Sequence, residues 1–92
     1  MIRGFRDGVT ESVFLGECPK GFPAPCKVAR RKLRMVDAAR ELKDLLAPPG
    51  NRLEKLAGDR EGQHSIRIND QYRVCFRWDA GHAYDVEITD YH

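Results

Sequence analysis

Apolar and polar residues alternate most regularly in the last third of the chain. Apolar side chains recur at every second position, and two segments of turn-forming residues, 69–71 and 79–83, interrupt the alternation. The pattern predicts three strands of one antiparallel meander over residues 63–92, each with one buried face. The predicted buried positions are Ile66, Ile68, Tyr72, Val74, Phe76, Trp78, Tyr84, Val86 and Ile88.

Loop lengths predict the register, because a slip of one residue would turn the apolar side chains to the polar face. A three-residue first loop pairs Arg67 with Arg73. A five-residue second loop gives the pairs Trp78 with Tyr84, Phe76 with Val86, Val74 with Ile88, Arg77 with Asp85, and Arg73 with Thr89. Arg77 then has an acidic neighbour and forms a surface ion pair. Arg67 and Arg73 face each other with no carboxylate between them, which destabilises the sheet unless an anion or solvent relieves the repulsion.

The first half of the chain predicts two helices and a loop. Ile2 to Phe5 reads as a short strand, whereas glycines and prolines over residues 6–25 are typical of a mobile loop. A helix begins at Cys26, and a second helix follows with Asp37 as its N-cap. Their buried positions are Cys26, Ala29, Leu33 and Val36, then Ala38, Leu42, Leu45 and Leu46. The expected fold is α+β, with this N-terminal helical hairpin packed on one face of a small antiparallel sheet.

Length, cysteine content and charge limit the classes of protein to which this chain can belong. Ninety-two residues predict one domain, 1–92, and the absence of a long apolar run predicts neither a signal peptide nor a membrane span. Three cysteines without CxxC spacing favour neither a disulfide framework nor a zinc site, and so favour the reducing cytoplasm. The net charge is only +2, but eleven of the sixteen basic residues are arginine. The basic stripe Lys27, Arg30, Arg31 and Arg34 is a solvated face, an rRNA contact or a docking site for an acidic partner.

Candidate chemistry lies at Asp90-Tyr91-His92, at the end of the last predicted strand. The alternative interpretation is a frayed, solvated terminus. Tyr91 shares the face of Arg67 and Arg73 by parity, and the imidazole of His92 titrates near neutral pH. Two guanidiniums can bind a phosphodiester while the imidazole moves a proton. The cluster therefore predicts an RNA-cleaving site that uses the 2′-hydroxyl as nucleophile and needs no metal or cofactor.

The chain resembles the HigB branch of the RelE/ParE toxin superfamily, the toxins of type II toxin–antitoxin pairs, and is most similar to the GraT-like subgroup. The matching segments are Met1-Ile2-Arg3, Ala38-Ala39-Arg40-Glu41-Leu42, Pro48-Pro49-Gly50-Asn51-Arg52-Leu53-Glu54, Gly58-Asp59-Arg60, Ser65-Ile66-Arg67-Ile68-Asn69-Asp70-Gln71, Arg73-Val74-Cys75-Phe76 and Asp90-Tyr91-His92.

The resemblance implies an endoribonuclease that cuts mRNA in the ribosomal A site and so inhibits translation. It also implies a HigA-type helix-turn-helix antitoxin as partner, with operator DNA bound only through that antitoxin. Arg73, Asp90, Tyr91 and His92 match family positions tied to activity. Some members carry a catalytic histidine where this chain has Glu54, and a lysine where it has Ala57. Either Glu54 is the base or His92 moves the proton alone, and Lys55 replaces the missing positive charge or is solvated.

Two other functions remain open from the sequence. The ParE branch of the same superfamily inhibits DNA gyrase by binding, although a binder needs no titratable Asp90-Tyr91-His92 end. A small nucleic-acid-binding module would also fit the charge, but it leaves the Arg67 and Arg73 pair unexplained. The expected site comprises His92, Tyr91, Asp90 and Arg73 for catalysis, and Arg67, Lys55 and Glu54 for RNA contact.

Overall fold

The predicted meander is present and gains one short strand before it. The computed structural model describes residues 1–90, which contain four antiparallel strands in chain order: β1 (Glu54–Lys55), β2 (Gln63–Arg67), β3 (Arg73–Asp79) and β4 (His82–Thr89). Ile2 and Phe5 extend the sheet through isolated parallel bridges to Ala83 and Val86. This N-terminal segment covers the outer edge of β4, where unpaired backbone groups would otherwise be open to another chain.

Strand register was predicted correctly at one end of the sheet and wrongly at the other. Arg67 pairs with Arg73, Val74 with Ile88, and Arg73 with Thr89, as expected. The second hairpin instead closes through the two residues Ala80 and Gly81, both with positive φ, so that Trp78 lies opposite Ala83 rather than Tyr84.

A β-bulge reconciles the short turn with the correct pairs further along. Asp85 has a φ of 51° and is the extra residue, so Phe76 faces both Asp85 and Val86 between the pairs Arg77–Tyr84 and Cys75–Glu87. The predicted partners of Trp78 and Arg77 were therefore wrong. The predicted ion pair was nonetheless confirmed, because the bulge leaves Asp85 Oδ2 at 3.5 Å from Arg77 Nε.

Helix α1 (Gly8–Phe14) lies in the segment that was predicted to be a loop. The prediction gave weight to Gly8 and Gly16, but these residues lie at the two ends of the helix. Asp7 precedes Gly8, and its carboxylate accepts a 2.7 Å hydrogen bond from the backbone N–H of Thr10. Gly16, with φ 105°, lies just beyond the last turn.

Helix α2 (Cys26–Ala38) confirms the first predicted helix and replaces the start of the second. Asp37 lies inside α2, where its carboxylate accepts a hydrogen bond from the backbone N–H of Ile2 at 2.8 Å. The rest of the second predicted helix is one 3-10 segment, Leu42–Leu46, with Leu45 buried and Leu46 exposed. Helices α1 and α2 together form the helical layer of the α+β fold.

The core lies between these two helices and the apolar face of the sheet. Its fully buried side chains include Val13, Leu33, Val36, Leu45, Ile66, Val74, Phe76 and Val86. Thr10 of α1 also fixes the helix to the sheet edge, since its hydroxyl accepts a 3.1 Å hydrogen bond from the Ile88 N–H. None of the helices in residues 1–90 has the length and apolar character needed to cross a bilayer.

A disulfide joins Cys18 to Cys26 and closes the loop between the helices, so the expectation of no disulfide was wrong for this pair. Spacing alone did not show it, because the chain between the two cysteines turns back on itself. Arg30, one residue of the predicted basic stripe, contacts the end of α1 rather than only solvent. Its Nε and Nη2 donate to the carbonyls of Val13 and Glu17, at 2.8 and 2.9 Å.

One buried polar contact ties α2 to the segment that precedes β1. The Lys32 ammonium donates to Asn51 Oδ1 at 2.6 Å, and Asn51 Nδ2 donates to the carbonyls of Leu45 and Ala47 at 3.2 and 3.3 Å. Asn51 is fully buried and Lys32 nearly so. Burial lowers the pKa of Lys32, and the nearby charges of Arg31 and Arg67 lower it further.

We expect Asn51→Ala to lower the free energy of unfolding by about 2–4 kcal/mol, because it leaves the buried Lys32 ammonium without its acceptor and two carbonyls without their donor. Urea denaturation measures the loss. The matched control is Lys32→Met, which removes the ammonium itself. In that background Asn51→Ala should cost at least about 1 kcal/mol less. Equal losses of unfolding free energy in the two backgrounds would show that the Lys32 and Asn51 side chains are not energetically coupled.

Candidate active site

A cleft opens on the polar face of the sheet, at the end where Arg67 and Arg73 pair. It has a volume of about 330 Å³. The lining residues are Arg52, Glu54, Arg67, Asn69, Asp70, Gln71 and Arg73. The strand register brings Arg67 and Arg73 together, and the turn between β2 and β3 supplies three of the others. Arg52 comes from the segment leading into β1, and Glu54 from β1 itself.

The Arg73 guanidinium is held on several sides. Its Nε donates to Ser65 Oγ at 2.8 Å, and its Nη2 donates to the carbonyl of Arg52 at 2.5 Å. Its Nη1 lies 4.0 Å from Glu54 Oε1, and only 14% of the side chain is exposed. Neutral acceptors on two sides fix the plane of the guanidinium, so Arg73 presents its remaining N–H groups in a set direction.

Carboxylates do approach the arginine pair, contrary to the sequence-based expectation. Arg67 Nη2 forms an ion pair with Asp70 Oδ1, and Glu54 stands beside Arg73. The register argument considered only residues inside the three predicted strands. Asp70 lies in the turn between two of them, and Glu54 lies in β1, which was not predicted. The Asp70 side chain is fully exposed, so water screens its attraction for Arg67 and an incoming anion can compete with it.

The β2–β3 turn connects the cleft to Asp90. Asn69 Oδ1 accepts from the N–H groups of Gln71 and Tyr72, at 2.9 and 2.7 Å, and this shapes the turn. Gln71 Nε2 then donates to Asp90 Oδ2 at 3.1 Å. Of the three predicted residues at the chain end, Asp90 therefore reaches the cleft margin. Tyr91 and His92 lie outside the described residues.

Lys55 is the one described member of the predicted site that the structure does not bring to the cleft. It pairs with His64, one position out of phase with Glu54, and so belongs to the other face of the sheet. Burial lowers the pKa of His64, and the charge of Lys55 adds to that effect. The role of Lys55 in RNA contact stays a prediction.

Comparisons with known proteins show the family of this chain. Residues 16–92 match the HigB-like toxin family, described as the RelE-like toxin of the type II toxin–antitoxin system HigB. The chain belongs to this family.

Individual relatives differ in how much of their length is matched. The Endoribonuclease HigB of Proteus vulgaris is 32% identical over the full length of both chains. The protein named Toxin HigB-1 from Vibrio cholerae is 53% identical over 53 residues, or 58% of this chain, which span only 56% of that relative. The YoeB-YefM complex from Staphylococcus aureus contains a chain of the same fold, with a TM-score of 0.61 at 19% identity, covering 100% of this chain and 98% of that one.

Two residues that hold the Arg73 guanidinium in this HigB-like chain, Ser65 and Arg52, were missed from the sequence as parts of the site. Ser65 lies two residues before Arg67, so the period of the strand already placed it on the same face, diagonal to Arg73. Arg52 follows the Pro-Pro-Gly-Asn segment and has a left-handed backbone, φ 46° and ψ 56°. Neither its φ nor the direction of its carbonyl could be predicted without the fold. Among residues 1–90, no three His, Cys, Asp or Glu side chains form a group suited to a metal ion.

A cluster of ion-paired side chains lies beside the cleft on the same face. Glu87 pairs with Arg60 at 2.6 Å and with Arg6 at 3.4 Å, and its side chain is 13% exposed. The neighbouring Cys75 is fully buried. Burial raises the pKa of the Cys75 thiol to about 11, with the charge of Arg60 opposing the shift. Cys75 is therefore a packing residue, since a neutral buried thiol is a poor nucleophile.

The raised pKa of Cys75 predicts a loss of stability in alkali. Between the ordinary thiol pKa of 9.0 and the folded value of about 11, the folded state holds a proton that the unfolded state has released. Stability from this group is complete below pH 9.0 and falls through the window by about 2–3 kcal/mol. Urea denaturation across that range should show a steeper decline for the wild type than for Cys75→Ala. Parallel profiles would contradict the assignment.

Proposed function

We propose that this chain is the toxin of a type II toxin–antitoxin pair and that it is an endoribonuclease that cleaves mRNA bound to the ribosome. The supporting observation is the oriented Arg73 guanidinium beside Arg67, in a cleft with a carboxylate at Glu54. The full-length match to a protein named for endoribonuclease activity supports the same function.

The two arginines bind and stabilise the reacting phosphate. Arg73 is preorganised, because Ser65 and the Arg52 carbonyl already fix its orientation before RNA arrives. A guanidinium in place before the reaction stabilises the charge that develops on the phosphate oxygens without reorganising. Arg67, one strand away, completes the contact by exchanging the exposed Asp70 carboxylate for a phosphate oxygen.

Proton transfer completes the reaction. A base removes the proton of the RNA 2′-hydroxyl, whose oxygen attacks the adjacent phosphorus and forms a 2′,3′-cyclic phosphate. The bond to the 5′-oxygen breaks, and that oxygen takes up a proton to leave as a hydroxyl. Glu54 lies in the cleft and is about half exposed, so a substrate hydroxyl can reach it. His92 is the other candidate base and the acid for the leaving oxygen, and Tyr91 and Asp90 assist it.

The ribosome supplies the alignment that the cleft lacks. Four of the seven lining residues are exposed, so the cleft is open to solvent and does not by itself hold the 2′-hydroxyl in line with the leaving oxygen. Positioning of this kind can lower a reaction barrier by about 7 kcal/mol in favourable cases. We therefore propose the ribosome and mRNA as partners and the cytoplasm as location. A HigA-type antitoxin neutralises the toxin and carries any operator DNA contact, and Lys55 adds an outer RNA contact.

We expect primer extension to show cuts within translated codons when the protein acts on translating ribosomes, and little or no cutting of free RNA. His92→Ala and Arg73→Ala should each abolish the cuts and the growth inhibition, because they remove the proton-transfer group and the oriented cation. His92→Ala should keep the wild-type free energy of unfolding within about 1 kcal/mol. Arg73→Ala should lower it by about 1–3 kcal/mol, because the hydrogen bonds to Ser65 and to the Arg52 carbonyl are lost, and both variants should still bind antitoxin.

Three results would contradict this proposal. Efficient cutting of free RNA would remove the role of the ribosome, and full activity of a folded His92→Ala protein would remove that of the imidazole. Growth inhibition without any cuts would favour a bound target such as DNA gyrase, which a supercoiling assay detects directly.

Ser65 is expected to act as a positioning residue for Arg73. Ser65→Ala removes the acceptor of the Arg73 Nε–H, so the guanidinium loses one of its fixed contacts. We expect kcat on programmed ribosomes to fall about 10-fold with little change in KM, because orientation matters most in the transition state. Ser65→Thr keeps the hydroxyl and should retain most activity. A rise in KM alone, or equal losses for both variants, would indicate a structural role instead.

A further inference from the structure

We infer that the Arg52 guanidinium binds an RNA phosphate in the cleft and adds to substrate affinity rather than to the chemical step. The inference rests on the proposed function and assigns a ligand to a residue that the expected site did not contain. Three features of Arg52 support it: the charge balance of the cleft, its strained backbone, and the buried contacts that hold that backbone in place.

The charge balance of the cleft depends on Arg52. The lining side chains include three guanidiniums and two carboxylates. Asp70 pairs with Arg67 and Glu54 stands beside Arg73, so each carboxylate has a neighbouring arginine. The side chain of Arg52 is exposed and, within residues 1–90, has no hydrogen bond or ion pair of its own. It therefore supplies the excess positive charge of the cleft, which is the charge that attracts an anion.

The backbone of Arg52 has a strained, left-handed conformation, which is unusual for a residue other than glycine. Its φ of 46° and ψ of 56° lie in the left-handed region, where glycine is favoured. This conformation directs the Arg52 carbonyl to Arg73 Nη2 at 2.5 Å. A glycine would hold the same carbonyl with less strain, so the carbonyl contact does not account for the arginine side chain at this position. Strain of this kind is concentrated at ligand-binding positions.

Buried contacts on the preceding residue keep Arg52 in this conformation. Asn51 is fully buried and held by Lys32 and two carbonyls, and the Arg52 N–H donates to the carbonyl of Pro49 at 3.2 Å. The chain direction is thus fixed one residue before Arg52, and the guanidinium starts from a rigid base at the cleft margin. An exposed arginine on a rigid base suits a solvated phosphate of the RNA backbone, whereas the largely covered Arg73 suits the reacting phosphate.

The test measures binding to ribosomes programmed with an mRNA whose 2′-hydroxyl at the cut site is replaced by hydrogen, so that no cleavage occurs. Arg52→Gly removes the cation and fits the left-handed backbone without strain. Arg52→Lys keeps the positive charge but lacks the planar guanidinium that can bind two phosphate oxygens at once. The control is Lys20→Ala, which removes an exposed cation from the loop between α1 and α2. Urea denaturation checks that each variant is folded, and Arg52→Asn is the second variant if glycine lowers stability.

Arg52→Gly should weaken binding about 10-fold and reduce the slope of log affinity against log salt by roughly 0.7 to 0.9, the value for one phosphate contact. With cleavable mRNA, KM should rise while kcat stays within about 2-fold. Arg52→Lys should lie between Arg52→Gly and wild type, and Lys20→Ala should match wild type.

Two results would overturn the inference. One is wild-type binding and salt slope in folded Arg52→Gly. The other is the same loss in Lys20→Ala, which would show that the effect comes from overall charge. Failure of the wild type itself to bind or cut would instead reject the proposed function.

Discussion

The pairing of β2 with β3 in one register is the constraint on which the rest of the molecule depends. It buries Ile66, Val74 and Phe76 against α1 and α2, and the same pairing sets Arg67 opposite Arg73 on the other face. A slip of one residue would exchange the two faces and remove both the core and the arginine pair. Burial of the apolar core therefore offsets the repulsion between the two like charges that the same register places side by side.

The two faces of the sheet are linked by a route that avoids the sheet itself. Lys32 projects from α2 to Asn51, Asn51 fixes the chain before Arg52, and the Arg52 carbonyl meets Arg73. The hydrogen bond between Lys32 and Asn51 joins groups that would be costly to bury without a partner. The helical layer thus sets the position of the Arg73 guanidinium as well as covering the core. This explains why a lysine lies within an otherwise apolar helix face.

Sequence periodicity predicted the parts of the fold that depend on burial. The strand alternation, the helix from Cys26 and the Arg67–Arg73 pair all follow from which side chains avoid water. The α1 helix, the two-residue turn at Ala80-Gly81 and the bulge at Asp85 depend instead on a few local hydrogen bonds and φ values. The site followed the same division. Arg73 was found from register, whereas Ser65 and Arg52 act through contacts that exist only once the chain has folded.

Two of the three cleft guanidiniums have carboxylate neighbours when no RNA is bound, and this bears on how the proposed enzyme would discriminate among RNAs. Asp70 and Glu54 stand where phosphate oxygens would bind, so RNA gains only the difference between a phosphate contact and the carboxylate contact it replaces. Binding of an arbitrary RNA is then weak, and a second surface has to supply the remaining affinity. A ribosome that presents the mRNA in a fixed path supplies both that affinity and the alignment. On this argument the carboxylates of the cleft would restrict the proposed enzyme to ribosome-bound mRNA, because removing either one would strengthen RNA binding in any setting.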